Sequence, residues 1–304
     1  MDERSPNLPT SLFRGGRLAL HLLYAVLLAI LYPYLNQTKR RRILKNWSRQ
    51  LLDILGIGIR TEGEWPARGE GGYLVVANHV SWLDIFALNA IYPSRFVAKA
   101  EVRNWPLVGW LCQRANTIFI ERTMRQGAIP VNQQISLLLK QGVCIGLFPE
   151  GTTTDGRQAG HFHSALIQPA IDAGAMLCPI ALRYQHKDGK QNNASTFTSD
   201  MTLPMSIWRI LRSPHFDVLL AFTPALATVG ENRRVLARAA QEAISQGLQN
   251  VAAMRQEPIQ KTISAIPQPP FGVSIGTASP ACFCFTFSSS NRTVSPGDSS
   301  VTKP

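Results

Sequence analysis

The sequence predicts an α/β protein with a mostly parallel central sheet flanked by helices. Short apolar runs rich in β-branched residues recur through the middle of the chain, and stretches with helical periodicity separate several of them. Such alternation is typical of a parallel sheet with helices on both faces. An apolar, basic N-terminal segment (residues 1–60) predicts a leader and a pair of membrane-associated helices before the folded domain at 61–256. Residues 257–304 are rich in Pro and Ser and poor in charge, which predicts a disordered tail.

Length and charge narrow the class of protein. A chain of 304 residues can form one sizeable α/β domain with extensions. The 31 Lys and Arg against 19 Asp and Glu give a formal charge of +12, which suits a lipid surface, a nucleic acid or a phosphorylated substrate. The positive charge is concentrated before residue 61, and no nucleic-acid-binding module is recognisable. We therefore predict an anionic membrane surface as the partner and no nucleic acid.

The first helix predicts membrane attachment. Residues 1–13 are expected to be a disordered leader, followed by an apolar stretch from Leu18 to Tyr32. A helix extended to Leu35 would measure about 27 Å, slightly less than the bilayer core of about 30 Å. His21 and Pro33 weaken a full span, so crossing the bilayer and dipping into it both stay open. The basic cluster that follows is typical of a cytoplasmic flank, which predicts the cytoplasmic face of a membrane, the inner membrane in a bacterium.

A second helix is predicted over residues 39–55. Leu44, Trp47, Leu51 and Leu55 lie on one face, and several Lys and Arg lie elsewhere. This pattern fits a basic amphipathic helix lying on anionic headgroups. The alternative is an ordinary helix that packs its apolar face on the domain.

The predicted domain then alternates strands and helices. Strands are expected at residues 73–76, 95–98, 117–120, 143–148, 178–184 and 216–222, and helices at 106–114, 129–140, 164–173 and 231–250. The polar segment 185–200 is expected to be a surface loop. The five cysteines have no zinc-like spacing with matching His, so no metal site, no disulfide framework and a reducing compartment are predicted.

His79 and Asp84 are the first candidate catalytic residues. They follow the apolar run Tyr73–Val76, and open α/β sheets place their chemistry at the carboxyl ends of strands. An imidazole can take up a proton near neutral pH, and a carboxylate on its other nitrogen holds the tautomer. Five positions apart, the two side chains meet only if the backbone turns between them. As structural alternatives, Asp84 completes a capping box with Ser81 as N-cap, which is also compatible with a catalytic pair, and His79 is an ordinary loop histidine.

Further candidates follow other strand-like runs. Arg122 comes after an apolar strand, where a guanidinium can grip a phosphate, or it forms a surface ion pair with Glu121 or Glu101. The block Glu150, Gly151 and Thr152 ends another strand; its glycine permits close backbone approach and its threonine offers a hydroxyl.

Four blocks together resemble one family. Asn78–Asp84 is similar to the N-H-x4-D motif of the glycerolipid acyltransferases, the 1-acylglycerol-3-phosphate acyltransferase group. Thr117–Arg122, Phe148–Thr154 and Cys178–Ala181 resemble the second, third and fourth motifs of that family. The order and rough spacing match over about residues 70–225, and four blocks in order are a specific signal.

The resemblance implies a function. It predicts an O-acyltransferase that moves an acyl chain from acyl-CoA or acyl-carrier protein to 1-acylglycerol-3-phosphate, giving phosphatidic acid without a further cofactor. His79 would be the general base oriented by Asp84, while Arg122 and the block at 150–152 would bind the phosphorylated glycerol backbone. Lys99 resembles a lysine near the same phosphate, or it is an exposed surface charge. A direct transfer is expected, because no Gly-x-Ser-x-Gly nucleophile elbow is present.

Two departures from the family pattern leave the acceptor headgroup open. Asn116 stands where the second motif usually begins with Gly, and Thr153 stands where the third often continues with Arg. An acyltransferase for another lysolipid, such as lyso-ornithine lipid, is the alternative within the same class. A non-catalytic, membrane-bound lipid-binding protein is the alternative from a different class.

Overall fold

The computed structural model describes residues 6–65, 72–120, 128–198 and 200–253. All of these lie in one compact unit, Met1–Pro258. The tail predicted at residues 257–304 lies outside the described residues.

The described part of the chain forms a seven-stranded sheet in the order β1-β7-β6-β2-β5-β3-β4. The strands are β1 (Ile57–Glu62), β2 (Tyr73–Ala77), β3 (Arg95–Lys99), β4 (Ile118–Ile120), β5 (Ile145–Leu147), β6 (Met176–Gln185) and β7 (Phe216–Phe222). Strands β6, β2, β5, β3 and β4 run parallel, and β7 lies antiparallel to β6. The predicted fold class, a mostly parallel sheet flanked by helices, is confirmed.

Strand β1 was not predicted from the sequence. It pairs in parallel with β7, from Ile57 opposite Phe216 to Glu62 opposite Ala221. It is an edge strand with only one neighbour, and its second half, Arg60–Glu62, is polar or charged. The domain boundary predicted between residues 60 and 61 falls inside this strand.

Helices cover both faces of the sheet. They are α1 (Leu8–Leu31), α2 (Gln37–Leu55), α3 (Asp84–Ile91), α4 (Val108–Arg114), α5 (Ala128–Lys140), α6 (Gln168–Ala173), α7 (Leu203–Leu211) and α8 (Arg233–Ala253). Strand β2 shows how the two cores divide, because its side chains alternate between faces. Val75 and Ala77 pack with α2 and α3, whereas Leu74 and Val76 pack with α5 and α8.

Helix α1 begins earlier than predicted. Asn7 caps it by accepting a hydrogen bond of 3.2 Å from the Thr10 N–H, and Pro9 occupies the first turn. The expectation of a disordered leader through residue 13 is therefore wrong from Leu8 onward. Leu18, His21, Ala25 and Ala29 form its buried face, and exposed apolar residues cover the rest.

The exposed side of α1 is the main apolar surface of the N-terminal helix pair. It carries Leu12, Phe13, Leu20, Leu23, Tyr24, Leu27, Ile30 and Leu31. Together with the following turn, α1 is long and apolar enough to cross a membrane by length and composition, with a mean hydropathy of 1.6 over an 18-residue window within Leu8–Tyr34.

Helix α2 uses its apolar face differently from the favoured prediction. Leu51 and Leu55 are buried, and Trp47 packs against the same core. The apolar face thus lies on the domain, as in the alternative interpretation, while Lys39, Arg42 and Arg49 remain exposed. Gly56 ends the helix in the left-handed conformation, with φ of 75°.

Two other helix predictions need correction. The helix expected at residues 164–173 is divided into a 3-10 turn at Ser164–Leu166 and α6, because Pro169 lacks an N–H and starts a new helix. Helix α7 was missed; it follows the loop at 185–200, in which Asn192 and Ser195 are buried.

Candidate functional site

The carboxyl ends of the parallel strands bring the candidate residues to one edge of the sheet. Val76 of β2 lies opposite Leu147 of β5, and Phe96 of β3 lies opposite Gly146. The segments that leave β2, β3 and β5 therefore emerge side by side. This edge is where an open parallel sheet forms its binding crevice.

His79 and Asp84 meet at this edge. The His79 Nδ1 and Asp84 Oδ2 atoms are 2.8 Å apart, because the backbone turns between β2 and α3. Asp84 is fully buried, whereas the imidazole keeps 20% of its side-chain surface exposed. A neutral imidazole in this pair donates its Nδ1–H to the carboxylate, which fixes the tautomer.

The carboxylate of Asp84 is held by more than His79. Its Oδ2 also accepts hydrogen bonds from the backbone N–H groups of Val80 at 2.7 Å and Ser81 at 3.0 Å. Its Oδ1 accepts one from the Tyr184 hydroxyl at 2.8 Å. These donors stabilise the charged carboxylate, and its position in the first turn of α3 adds a favourable interaction with the helix dipole.

Only half of the possible capping box forms, because Asp84 accepts from the Ser81 N–H but the Ser81 hydroxyl caps no N–H group of the described residues. Helix α3 begins at Asp84 after Leu83, and the buried Ser81 hydroxyl has no hydrogen-bond partner among the described residues. The Asp84 N–H donates instead to the Ser81 carbonyl, so Ser81 lies in a turn outside the helix. The carboxylate is consequently turned back towards the loop and towards His79.

The His79 ring is fixed from the neighbouring strand. It stacks on Phe148, which follows β5, with ring centroids 4.0 Å apart and planes 7° apart. The backbone carbonyl of His79 accepts hydrogen bonds from the Thr154 N–H at 2.7 Å and the Thr154 hydroxyl at 3.2 Å. The other ring nitrogen, Nε2, has no hydrogen-bond partner in the described part of the chain and is available to a substrate hydroxyl.

Asn78 holds the start of the same loop. Its side chain donates to the Leu182 carbonyl at 2.9 Å and accepts from the Leu182 N–H at 2.8 Å. The loop is thereby attached to β6 at the residue before His79.

Glu150 lies beside the pair. It is buried, and its Oε1 accepts a hydrogen bond of 2.9 Å from the Gly160 N–H. Burial raises the pKa of Glu150, while the backbone N–H groups of Gly160 and His79 favour the charged form. Its Oε2 is buried without a hydrogen bond of good geometry from any described residue, so it could accept one from a ligand.

The two residues after Glu150 differ in exposure. Gly151 is buried with φ of 73°, a left-handed conformation that a residue with a Cβ would adopt only under strain. Thr152 is exposed at the mouth of the site. The structure thus places the predicted block next to the imidazole–carboxylate pair.

The two predicted cations are less close to the pair or lie outside the described residues. Lys99 ends β3 at the same edge with an exposed side chain. Strand β5 separates β3 from β2, which corresponds to about 10 Å between their backbones. Arg122 lies outside the described residues.

A second imidazole–carboxylate contact provides a comparison. His215 Nε2 lies 3.3 Å from Asp217 Oδ1, but Arg60 Nε lies 2.6 Å from the other carboxylate oxygen. Asp217 is therefore neutralised by a guanidinium, whereas no described Lys or Arg pairs with Asp84.

Cysteines offer no competing nucleophile in the described part of the chain. Burial, together with the nearby Cys144, raises the pKa of Cys178 to about 12. Burial also raises the pKa of the Cys112 thiol. Among the described residues there is also no group of three or more His, Cys, Asp or Glu side chains that could hold a metal ion.

Sequence reasoning missed three residues that support the pair. Tyr184 and Phe148 were predicted as the last residues of strands, and Asn78 and Phe148 were noted only as the first residues of family motifs. The apolar strand runs hid the first two, because a polar contact at the end of a buried strand has no spacing signature. Only the run of motif residues around Asn78 could have indicated its role.

Comparison with known proteins gives a consistent family. Residues 58–183 match the family model described as Acyltransferase. The chain is 38% identical over 206 residues to a 1-acyl-sn-glycerol-3-phosphate acyltransferase of Neisseria meningitidis, covering 67% of this chain and 80% of that protein. It is 37% identical over 217 residues to a lyso-ornithine lipid O-acyltransferase of Pseudomonas aeruginosa, covering 71% and 82%.

A solved structure supports the fold. The crystal structure of the 1-acyl-sn-glycerophosphate (LPA) acyltransferase PlsC from Thermotoga maritima superposes with a TM-score of 0.55 at 21% identity. The match covers 79% of this chain and 98% of that one. At this identity the likeness concerns the arrangement of helices and strands.

Proposed function

Because the chain belongs to the acyltransferase family, we propose that it transfers an acyl chain from a thioester to the free hydroxyl of 1-acylglycerol-3-phosphate, giving phosphatidic acid. The observation that carries this proposal is the contact of 2.8 Å between His79 Nδ1 and Asp84 Oδ2 at the carboxyl edge of the sheet. The match to the family model includes both residues.

The reaction follows from the orientation of the imidazole. With its Nδ1–H donated to Asp84, His79 presents an unprotonated Nε2 that can accept the proton of the acceptor hydroxyl. The hydroxyl oxygen then attacks the thioester carbonyl, and the C–S bond breaks as the new C–O ester bond forms. The imidazolium returns the proton to the departing thiolate, so His79 ends the cycle neutral.

Asp84 stabilises the imidazolium while it exists. The carboxylate is held beside the imidazole by hydrogen bonds from two backbone N–H groups and the Tyr184 hydroxyl. In this direct transfer neither the serine next to the site nor a cysteine forms an acyl intermediate. The donor, acyl-CoA or acyl-carrier protein, is a co-substrate, and the reaction needs no further cofactor and no metal ion.

The acceptor would be held by the remaining candidates. Arg122 and Lys99 are proposed to contact its phosphate, Arg122 on the strength of its motif alone. Glu150 Oε2 is proposed to accept a hydrogen bond from an acceptor hydroxyl, while Gly151 and Thr152 line the path to His79. Glu150 itself would repel a phosphate, so we place the phosphate towards β3 and β4.

A second acceptor class has specific support. Thr153 stands where the family motif often has Arg, and its hydroxyl donates to the Phe197 carbonyl within the chain. It therefore supplies no cation to a phosphate. This favours a lysolipid without a phosphate, such as lyso-ornithine lipid, the acceptor in the name of the Pseudomonas aeruginosa relative.

Membrane association would supply these substrates. The exposed apolar side of α1 and the basic residues of α2 are proposed to rest on the anionic cytoplasmic face of a membrane, the inner membrane in a bacterium.

A substrate panel tests the proposal. The purified chain is incubated with labelled acyl-CoA, or acyl-carrier protein loaded with the same chain, and with 1-acylglycerol-3-phosphate, lyso-ornithine lipid and lysophosphatidylcholine in turn. Labelled phosphatidic acid is the expected product. Transfer only to lyso-ornithine lipid would establish the second acceptor class. Absence of transfer to every acceptor, from both donors, would contradict the enzyme proposal.

A further inference from the structure

A basic cleft lies at the amino ends of the parallel strands, whereas His79 lies at their carboxyl ends. Arg95 begins β3, and Ser94 and Asn116 precede β3 and β4 at the same edge. Arg40 and Arg41 of α2 close the cleft from the helical side. We call the group of Arg40, Arg41 and Arg95 the arginine cleft; none of its members belongs to the proposed catalytic site.

The arginine cleft has positive charge without a compensating acid. No Asp or Glu is among the described residues that line it, and Arg95 and Arg41 form no ion pair with any described residue. Burial lowers the pKa of Arg95; the interaction with Tyr32 opposes this change, and repulsion from Arg40 and Arg41 adds to it. A bound anion would relieve both the burial cost and the repulsion.

The cleft is also pre-organised. The Arg40 guanidinium donates from Nε to the Tyr32 carbonyl at 2.9 Å and from Nη2 to the Pro33 carbonyl at 2.7 Å. It also lies over the Tyr32 ring, 5.4 Å from the centroid. Ser94 and Asn116 line the cleft as well, and the Ser94 hydroxyl already donates to the Tyr92 carbonyl at 3.1 Å. The guanidinium groups of Arg41 and Arg95 are therefore the donors in this lining that are suited to an oxyanion.

Position and size indicate the kind of anion. The 3-10 turn Tyr32–Tyr34 that lines the cleft joins α1 to α2, directly after the exposed apolar side of α1. Tyr34 is 85% exposed there, as an aromatic side chain at a membrane interface would be. The space inside the cleft, about 30 Å³, corresponds to about two water molecules, so the cleft suits a small polar group.

We propose that the arginine cleft binds the phosphate of an anionic lipid headgroup and so attaches the α1–α2 turn to the headgroup layer. The recognised chemistry is a phosphate oxyanion with a net negative charge, which an anionic lipid or free inorganic phosphate could supply. This site is separate from the acceptor site, since the two lie at opposite edges of the sheet.

Paired variants test the proposal on the full chain. Arg95→Gln and Arg41→Gln each remove one charge from the cleft, and Arg238→Gln removes the same charge from the exposed, outer side of α8. Binding is measured by flotation with vesicles of phosphatidylcholine, with and without phosphatidylglycerol. Calorimetric titration of the detergent-solubilised chain with inorganic phosphate distinguishes the two sources of the anion.

Each cleft variant is expected to bind the phosphatidylglycerol vesicles about fivefold more weakly than wild type, because one basic residue contributes about 1 kcal/mol to the binding free energy. Arg238→Gln should lose much less, and binding to pure phosphatidylcholine should not change. Saturable phosphate binding that Arg95→Gln abolishes would also support an anion site and would identify free phosphate as a ligand.

Two results would overturn the proposal. One is a wild-type response of both cleft variants to phosphatidylglycerol and to phosphate; the other is an equal loss in Arg238→Gln, which would indicate a diffuse charge effect. If Arg95→Gln fails to fold, the binding of Arg41→Gln decides the test, because Arg41 lies on the surface of a helix. Acyl transfer in detergent micelles should persist in the cleft variants, so failure of this inference is distinguishable from failure of the proposed function.

Discussion

The hydroxyl of Tyr184 donates a hydrogen bond of 2.8 Å to Oδ1 of Asp84, while His79 contacts the other carboxylate oxygen. Both Tyr184 and Asp84 are fully buried, and Tyr184 reaches the site from β6. Burial and the negative charge of Asp84 raise the pKa of Tyr184 well above its ordinary value, so the phenol remains a donor. Tyr184 is therefore a positioning residue that acts on His79 through Asp84.

Replacing Tyr184 by Phe should separate this role from simple packing. The change leaves Asp84 Oδ1 buried without a donor, which should cost about 1–3 kcal/mol in the free energy of unfolding. A carboxylate that is less well stabilised should hold the imidazolium less well, so we expect kcat to fall about tenfold while the acceptor KM stays the same. Chemical denaturation and steady-state kinetics measure the two effects. A loss of stability with unchanged kcat would restrict Tyr184 to a structural role.

The Tyr184 contact illustrates what the sequence could and could not predict. The parallel sheet was predictable because buried strands have a local signature of apolar, β-branched runs. The meeting of His79 and Asp84 required only one turn of the backbone within a short motif. Tyr184 is separated from Asp84 by 100 positions, and that contact depends on the pairing of β2 with β6, which no local pattern specifies.

Local rules also failed where two of them competed. Ser81 has the spacing of an N-cap three residues before Asp84. In the structure Ser81 lies in a turn closed by the hydrogen bond from the Asp84 N–H to its carbonyl, and α3 starts at Asp84. Asn116 stands where the second family motif usually has Gly. It adopts φ of 59°, a left-handed conformation that Asn tolerates better than most residues, so the position keeps the backbone conformation that favours glycine. The edge strand β1 escaped prediction because its two isoleucines are separated by a glycine and followed by polar residues, so no continuous apolar run marks it.

The buried carboxyl of Glu150 should make stability depend on pH. Its pKa is raised above the ordinary value of 4.5 mainly by burial, so folding favours the protonated form. The stabilising contribution is complete below that value and is lost as the pH rises through the raised pKa. Glu150→Gln removes this titration, so its melting temperature relative to wild type should increase from acid towards neutral pH. Glu242→Gln, at an exposed position on α8, serves as the matched control.

Thermal unfolding at a series of pH values checks this prediction. A difference between Glu150→Gln and wild type that stays constant over the whole series would contradict it. The same result from Glu242→Gln as from Glu150→Gln would assign the effect to net charge.

Arg122→Ala tests the proposed phosphate contact. If the guanidinium grips the acceptor phosphate in the ground state, the acceptor KM should rise by about 10- to 100-fold, the loss expected for a charged hydrogen bond of about 1.5–3 kcal/mol. The KM for the acyl donor should change little. Steady-state kinetics with each substrate varied in turn provide the measurement, and an unchanged acceptor KM would remove Arg122 from the binding site.

The role of the imidazole is tested most directly by turnover of His79→Ala, with His215→Ala as the matched control. His215 also contacts a carboxylate, that of Asp217, which is paired with Arg60. Removing the His215 imidazole should therefore leave acyl transfer unchanged. The central claim predicts that His79→Ala lowers kcat by about 10²–10⁴-fold while the circular dichroism spectrum and the melting transition remain those of a folded protein. A folded His79→Ala protein that transfers acyl chains at a near-normal rate would contradict it.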